Sequence, residues 1–173
     1  GAASVRAGNV IGGGDYSNDR IVPDCIKAIS IGQPIELRNP LATRPWQHVL
    51  EPLSGYILLA EKLFHYPQKF AEAWNFGPDT KEVRNVEYLA QKIIEGYGKG
   101  SISKKMDDTK YHESSLLQLN CERAAQKLKW RPRWGVDKTI QMTTEWYRLN
   151  NQGEPMKKVT NSNIDNYFGV DSD

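Results

Sequence analysis

Residues with chemical potential gather near the start of the chain. The run RAGNVIGGGD occupies residues 6–15, and DRIVPD follows at 19–24. The amide of Asn9 can both donate and accept hydrogen bonds. Glycines at 12–14 let a backbone or a phosphate approach without side-chain obstruction. The stretch therefore predicts a strand that leads into a ligand-holding bend, although a triple glycine is also typical of an ordinary turn. It lacks the glycine spacing of a Walker loop or a dinucleotide fingerprint.

The charge balance restricts the kinds of ligand that this bend could hold. The chain has a formal net charge of only +2, which is too small to argue for nucleic acid or an anionic membrane as partner, and neither partner is expected. An anionic ligand must then be recognised by particular arginines. A guanidinium suits this task because it grips two phosphate oxygens in a fixed fork, whereas lysine acts as a point charge.

The first half of the chain predicts five elements around these residues. Residues 2–10 are apolar enough for a buried strand, and Pro23 suits the first turn of a helix that stops near Gly32. A short strand at 34–37 and an extended segment at 44–49 should follow. A helix then begins, and its apolar residues keep helical spacing: Leu53, Tyr56, Ile57, Ala60, Leu63 and Phe64.

The second half continues the mixture of strands and helices. Residues 73–76 predict a strand, and Asn85 can cap a helix that ends among the glycines at 96–100. Two more helices are expected at 121–128 and 136–149, on either side of the aromatic corner at 130–134. The polar segment beyond residue 150 predicts a loose tail that could dock through Ile164, Tyr167 and Phe168. This order indicates an α/β class, a mixed α+β lobe.

Length and composition indicate one soluble globular unit. The 173 residues are 39% hydrophobic, which is enough for one core. No apolar run approaches the roughly 18 residues that a membrane helix needs, and no signal peptide opens the chain, so a cytoplasmic location is expected. Cys25 and Cys121 form no CxxC pair and are expected to be free thiols, and no metal site is expected.

These motifs occur in the order found in one enzyme group. Besides the two opening runs, they comprise RNPLATRPWQHVLEPLSGY at 38–56, WNFGP at 74–78, KWRP at 129–132, WY at 146–147 and IDNY at 164–167. The chain resembles the CDP-glucose 4,6-dehydratase family, which is a group of NAD-dependent extended short-chain dehydrogenases/reductases. The likeness spans nearly the whole chain.

The resemblance implies that only the C-terminal half of such an enzyme is present. Its last Rossmann-sheet elements would open the chain, residues 1–150 would form the nucleotide-sugar-binding lobe, and 151–173 the tail. The NAD-binding Rossmann domain with its GxxGxxG turn would be absent, and the catalytic Tyr-x-x-x-Lys would lie before residue 1. We therefore expect no catalytic residue here. Tyr88 and Lys92 match Tyr-x-x-x-Lys, but they fall on the solvent side of their predicted helix and too late in the chain.

The resemblance also implies an activity. Such enzymes convert CDP-glucose to CDP-4-keto-6-deoxyglucose with bound NAD, for deoxysugar and O-antigen synthesis. We expect this chain alone to be inactive and the full-length protein to be a homodimer. An isolated lobe should expose apolar surface.

Site residues follow from the same resemblance. Asn9 should face the junction of diphosphate and sugar, Arg44 a phosphate, and Arg20 with Val22 the base and ribose. His112 and Glu113 match a position that could hold ribose hydroxyls, and His48 completes the substrate-binding set. Ala7 and Gly8 should border NAD.

Structural alternatives remain open for most of these residues. Arg44 could merely stack on Trp46, which we expect to serve packing. His48 could be a satisfied histidine at a strand end, the histidine and glutamate at 112–113 could be a solvated loop, and Asp15 could simply pair with Arg20. Another nucleotide-sugar epimerase or dehydratase, or a non-catalytic nucleotide-sugar-binding module, are the competing functions.

Overall fold

The computed structural model describes residues 1–104 and 119–169 as a mixture of short strands and helices. The strands are Ser4–Ala7 (β1), Asn9–Ile11 (β2), Ile35–Leu37 (β3), Thr43–Arg44 (β4), Trp46–His48 (β5), Ala73–Phe76 (β6), Arg84–Asn85 (β7) and Ile102–Lys104 (β8). The helices are Ile21–Ser30 (α1), Leu50–His65 (α2), Pro67–Phe70 (α3), Val86–Tyr97 (α4), Val136–Asn151 (α5) and Met156–Phe168 (α6). A 3₁₀ turn at Thr80–Glu82 and a π-helical turn at Ala124–Leu128 complete the described elements.

The strands pair across large sequence separations. Parallel pairs join β1 to β6, β2 to β5 and β3 to β8, whereas β4 and β7 are antiparallel. Gly8 separates β1 from β2 and donates its N–H to the Phe76 carbonyl oxygen. The chain therefore passes from one strand partner to another at this glycine, just before Asn9.

Two buried clusters hold these elements together. The larger one lies among α1, α4, α5 and the strands β2, β3 and β5, and includes Cys25, Leu37, Leu89 and Tyr147. The smaller one joins α2 and β6 to the π-helical turn through Trp74, Phe76 and Trp130, among others. Burial of each large apolar side chain stabilises the fold by roughly 1.5–3 kcal/mol.

Most of the expected elements are confirmed. Pro23 lies in the first turn of α1, and the Asn85 side chain accepts the Tyr88 N–H at 2.8 Å and so caps α4. Gly98 ends that helix at φ 79°, in the left-handed region that glycine adopts without strain. Cys25 and Cys121 are free thiols, as expected. The α/β class is confirmed.

Three features of the chain differ from what the sequence indicated or were left open by it. The opening strand is not buried, since Ser4, Val5 and Arg6 are exposed in β1. The apolar stripe of α2 is largely open as well, with Ile57 69% and Phe64 83% exposed. Helical spacing identifies a helix, but it does not tell which side neighbouring elements will cover.

The segment beyond residue 150 is the third difference. Instead of a loose tail, it forms α6, and Tyr167 near its end is buried. The expected docking of this residue is thus real, but a helix carries it. In the part of the chain that the structure describes, no helix is both long and apolar enough to cross a membrane.

Candidate functional site

A cleft of about 920 Å³ brings several of the sequence-predicted residues together. It is lined by β2, the loop and first turns leading into α1, β3, and the segment from Arg38 to Trp46. Asn9, Arg20, Val22 and Arg44 all contribute to its wall. We call this space the cleft. Its volume lies in the range of small-molecule sites.

The charged residues of the cleft are evenly balanced in sign. The described residues supply four positively charged and four negatively charged side chains to the wall. The positive ones are Arg20, Lys27, Arg38 and Arg44, and the negative ones are Asp15, Asp19, Asp24 and Glu36. Two of the arginines pair with carboxylates near the opening. Arg20 lies 3.4 Å from Asp15, as the sequence had allowed, and Arg38 lies 3.8 Å from Asp19.

These two ion pairs are weak. Their side chains are 63% and 80% exposed on the arginine side, and exposed pairs contribute roughly 0–1 kcal/mol. A phosphate group can therefore replace the carboxylate as partner of either arginine at little cost. The hydrogen bonds to Ser17 are the main cause of the lowered pKa of Asp15, so that carboxylate stays ionised beside Arg20.

Arg44 is positioned differently from the other arginines of the cleft. It lies half-buried in β4 and donates from Nη1 to the Thr43 carbonyl oxygen at 2.8 Å. The antiparallel register places Arg84 of β7 directly opposite Arg44. Arg84 donates from Nη1 to the carbonyl oxygens of Lys81 and Val83 at 2.9 and 3.0 Å, and of the two arginines Arg44 is the one that lines the cleft. Its role as a phosphate ligand stays a prediction.

Protein side chains occupy the space beside the glycine run at 12–14. A Cβ on Gly13 would lie 2.1 Å from Cδ2 of Trp146, and one on Gly12 would lie 2.8 Å from Cγ1 of Val49. Gly14 has a φ of 84°. Of the two interpretations left open by the sequence, the structure therefore favours a tight packed turn, in which α5 supplies the group that the glycines accommodate.

Helix α5 also fixes the loop that follows this run. Tyr147 Oη accepts the Asp15 N–H at 2.9 Å and donates to the Asp15 carbonyl oxygen at 2.6 Å. Asn150 donates to the Tyr16 hydroxyl at 2.8 Å. The loop that supplies Asp15 and Arg20 to the cleft is thus held from behind by side chains far away in the sequence.

The other sequence-predicted residues lie outside the cleft or beyond the described part of the chain. His48 is only 3% exposed, packs against Trp134 with ring centroids 4.9 Å apart, and does not line the cleft. Its Nδ1 accepts the Leu50 N–H at 3.3 Å. Gly8 borders the cleft, whereas Ala7 does not. His112 and Glu113 lie outside the described residues.

Burial controls the protonation of His48. Loss of solvent lowers the pKa of its imidazole from 6.5 to about 4. The ring is therefore neutral at physiological pH, and its Nε2 has no partner among the described groups. His48 is thus a buried histidine at a strand end, but it is not the satisfied histidine that the sequence left as an alternative, and any substrate contact of His48 stays a prediction.

The sequence weighed Trp46 only as a packing residue, yet it lies in the wall of the cleft. Strand β5 is parallel to β2, and the register sets Trp46 beside Asn9. This neighbour relation depends on the pairing of strands separated by almost forty positions. No local signal in the sequence reveals it.

The Tyr88 and Lys92 pair makes contacts unlike those of a catalytic tyrosine and lysine. The Tyr88 hydroxyl donates to Oδ1 of Asp137 at 2.5 Å, and this bond raises the tyrosine pKa. Lys92 pairs with Glu95 at 2.8 Å. A tyrosine base needs a lowered pKa, so these contacts do not favour a catalytic role, and the exclusion of this pair stays a prediction. Its stated reason needs correction, because Tyr88 is half-buried and packs on the larger core.

A second polar cluster lies away from the cleft, around a buried carboxylate. Glu51 of α2 is fully buried and accepts the backbone N–H groups of Arg133 and Trp134, the latter at 2.7 Å, together with the Tyr167 hydroxyl at 2.7 Å. Ser54 bonds the Tyr167 hydroxyl and the Trp130 indole, both at 3.0 Å. We call these residues the Glu51 network.

Comparison with known proteins agrees with this fold. The chain is 41% identical over 170 residues to CDP-glucose 4,6-dehydratase of Salmonella typhimurium, an alignment that covers 98% of this chain and 47% of that protein. The chain thus spans about half the length of the curated relative that it matches. No family model matches the chain.

Solved structures show the same architecture. A dTDP-glucose 4,6-dehydratase from Bacillus anthracis in complex with NAD is 21% identical and superposes with a TM-score of 0.70, over 91% of this chain and 47% of that one. A UDP-glucuronic acid 4-epimerase from Bacillus cereus, bound to UDP-glucuronic acid and NAD, is 15% identical with a TM-score of 0.69, over 84% and 45%. The resemblance seen in the sequence is confirmed: over nearly its whole length the chain is similar to the C-terminal part of CDP-glucose 4,6-dehydratase, and it has the fold of that part of the extended short-chain dehydrogenases/reductases.

Proposed function

We propose that the chain is the substrate-binding portion of a CDP-glucose 4,6-dehydratase. The observation that carries this proposal is the cleft, which gathers Asn9, Arg20 and Arg44 from three separate segments. These are the residues that the resemblance assigns to the nucleotide sugar. The identity of 41% over almost the whole chain supports the same enzyme.

The chemistry of the cleft suits a nucleoside diphosphate sugar. Its arginines match the two charged phosphates through bidentate hydrogen bonds. The carboxylates of Asp24 and Glu36 line the wall as well, and they would repel phosphate but accept hydrogen bonds from sugar hydroxyls or from an exocyclic amino group. A ligand with both an anionic centre and neutral polar rings uses both kinds of group.

The described residues do not form an NAD cradle. A Cβ on Gly8 would meet the Pro45 carbonyl oxygen at 3.3 Å, and the glycines at 12 and 13 face Val49 and Trp146. These three glycines accommodate protein atoms, so this part of the described chain offers no turn for a pyrophosphate. The solved relative from Bacillus anthracis is an NAD complex. We infer that NAD belongs to the other half of a protein of the relatives' length, with Ala7 and Gly8 at most at its border.

Within that whole enzyme, the chain's task is to bind and orient the sugar. NAD accepts and returns a hydride when it is bound, and the outcome would be a CDP-4-keto-6-deoxy sugar for deoxysugar or O-antigen synthesis. Asn9 and the arginines would hold the substrate still during these steps. We further propose that this chain alone is inactive, and that the full-length protein is a cytoplasmic homodimer.

Isothermal titration of the chain with CDP-glucose tests the binding proposal. We expect saturable binding, competition by CDP, and no response to glucose alone. An assay with CDP-glucose and NAD should yield no 4-keto product. Absence of any CDP-glucose binding would refute the proposal, and turnover by the 173-residue chain would refute the assignment of catalysis to another part.

A different nucleotide-sugar epimerase or dehydratase is the second candidate. It is favoured by the solved structures, since a dTDP-glucose dehydratase and a UDP-glucuronic acid epimerase superpose about equally well. Parallel titrations with dTDP-glucose and UDP-glucuronic acid separate the two. Tighter binding of either ligand than of CDP-glucose would replace the first proposal by this one.

A further inference from the structure

The indole of Trp46 lies at the wall of the cleft without a hydrogen-bond partner. The side chain is only 4% exposed and contributes to the cleft lining. Its Nε1–H is closed to solvent and meets no acceptor among the described atoms. Buried donors in native proteins are nearly always satisfied, and each exception calls for an explanation.

The other deeply buried indoles of the described chain do have partners. Trp74 donates to the Phe70 carbonyl oxygen at 3.0 Å, and Trp130 donates to Ser54 Oγ at 3.0 Å. The protein therefore satisfies indole N–H groups where they serve packing alone. Trp46 differs from both in bordering a cleft.

The strand register explains where the Trp46 side chain lies. Trp46 and Asn9 are partners in the parallel β2–β5 pair, and register partners project from the same face of a sheet. Asn9 lines the cleft as well. An indole and a primary amide are thus neighbours on one face of this strand pair, and both residues line the cleft.

We propose that Trp46 Nε1–H donates a hydrogen bond to an oxygen of the bound nucleotide sugar, next to the amide of Asn9. This inference rests on the proposed function and adds a binding residue to it. The oxygen belongs either to a phosphate or to a sugar hydroxyl, and both accept this bond in the same way. Because the N–H is shielded in the ligand-free protein, the lining side chains must shift slightly as the ligand enters.

Indole ¹H–¹⁵N spectroscopy reports on this bond directly. The chain has five tryptophans, and the Trp46→Phe variant assigns the signal by deletion. We expect the Trp46 indole proton to move downfield on titration. A shift with CDP alone places the oxygen on the nucleotide, and its loss with cytidine identifies a phosphate oxygen, whereas a shift only with CDP-glucose identifies a hydroxyl of the glucose.

The spectra also separate two kinds of failure. If the Asn9 amide signals respond to CDP-glucose but the Trp46 indole does not, the inference is overturned and the proposed function stands. If no signal responds and calorimetry is silent, the proposed function falls and takes the inference with it.

A matched pair of variants supplies an independent measurement. Trp46→Phe removes the N–H and should weaken CDP-glucose binding about fivefold to tenfold, the worth of one neutral hydrogen bond. Trp74→Phe makes the same change at an indole whose partner is internal, and it should leave the affinity unchanged.

Stability should respond in the opposite order. Trp74→Phe breaks a hydrogen bond, whereas Trp46→Phe removes an N–H that makes no hydrogen bond in the ligand-free protein. The midpoint temperature of thermal unfolding should therefore fall more for Trp74→Phe. Equal affinities of wild type and Trp46→Phe would overturn the inference. If Trp46→Phe fails to fold, the Trp46 indole signal can be assigned as the one that moves in Asn9→Asp, since Asn9 is its strand neighbour. The shift of that signal during ligand titration is then measured on the wild-type chain.

Discussion

The cleft and the Glu51 network are both polar clusters, but they meet their hydrogen-bonding needs in opposite ways. In the network, Glu51 is fully buried and has protein donors for both carboxylate oxygens. In the cleft, the described partners of Arg20 and Arg38 are carboxylates 3.4 and 3.8 Å away, and the Trp46 N–H has no partner among the described atoms. The polar groups of the Glu51 network thus have close protein partners, whereas those named here from the cleft have distant partners or none among the described atoms.

The difference teaches how to separate structural from functional polar groups. Burial with internal partners fixes elements, and here the network ties α2 to the corner at 130–134 and to the end of α6. Polar groups with weak or missing partners are ready to bind something else. Changes in the network should therefore affect the free energy of unfolding, and changes in the cleft should affect ligand binding.

The largest expected effect comes from removing the carboxylate of the network. Glu51→Leu removes the acceptor of the Arg133 and Trp134 N–H groups and one of the two partners of the Tyr167 hydroxyl, which keeps Ser54 Oγ. Since each stranded donor costs about 1–3 kcal/mol, we expect a loss of about 3–5 kcal/mol in the free energy of unfolding. Urea denaturation followed by circular dichroism measures it.

A carboxylate on the surface provides the control for this change. Glu72 pairs with Lys127 at 2.9 Å and with Arg123 at 3.3 Å, with all three side chains substantially exposed. Glu72→Gln should cost less than about 1 kcal/mol. A similar loss in both variants would show that the Glu51 network is not special, and the comparison with the cleft would fail.

His48 packs against Trp134, whose N–H belongs to the Glu51 network, and the titration of His48 should make stability depend on pH. The folded protein keeps the ring neutral down to about pH 4, whereas the unfolded chain binds a proton below about 6.5. The unfolded state therefore binds more protons in this window, and about 3 kcal/mol of stability should be lost as the pH falls from 6.5 to 4.

Substitution identifies the residue responsible for that slope. His48→Phe retains an aromatic ring against Trp134 and removes the titrating group, so its stability should change less between pH 6.5 and 4 than that of the wild type. His65→Gln changes an exposed histidine at the end of α2 and should leave the slope unaltered. An unchanged slope in His48→Phe would place the acid sensitivity elsewhere.

In the cleft, Arg44 should influence binding far more than stability. If the proposed function holds, Arg44→Ala removes a charge-assisted contact and should weaken CDP-glucose binding by about 1.5–3 kcal/mol, or roughly tenfold to 150-fold. Calorimetry measures it. Arg123→Ala makes the same charge change outside the cleft and should bind normally. Unchanged affinity of Arg44→Ala would remove this arginine from the site.

The elements were predictable where local chemistry decides them. Asn85 as a cap, Pro23 in a first turn and Gly98 as a helix stop each act within a few residues, and the structure confirms all three. The ordered motifs likewise pointed to CDP-glucose 4,6-dehydratase, to which the chain is 41% identical over almost its whole length. Such signals need no knowledge of how distant segments meet.

What the sequence could not show depends on distant partners. Gly13 is a glycine because Trp146 fills the space beside it, and Trp46 borders the cleft because β5 pairs with β2. The apolar stripe of α2 was correctly recognised as helical, but the elements that would cover it are not specified by its spacing. Exposure and site membership are properties of the assembled fold.

The smallest expected effect tests whether the cleft depends on support from behind. Tyr147→Phe removes one hydroxyl that bonds both the N–H and the carbonyl oxygen of Asp15. Because Asp15 lies near solvent and water can replace part of this pairing, we expect a loss of only about 1 kcal/mol in stability. The loop carrying Arg20 should also become more mobile, which weakens CDP-glucose binding about twofold to threefold through the cost of ordering it. Calorimetry measures the affinity, and urea denaturation of the same preparation measures the stability. Tyr97→Phe is the control, because it removes a hydroxyl of α4 that is bonded to Asn151 of α5. A loss of stability without any loss of affinity would show that the cleft binds independently of α5 and would sharpen the division between the two regions.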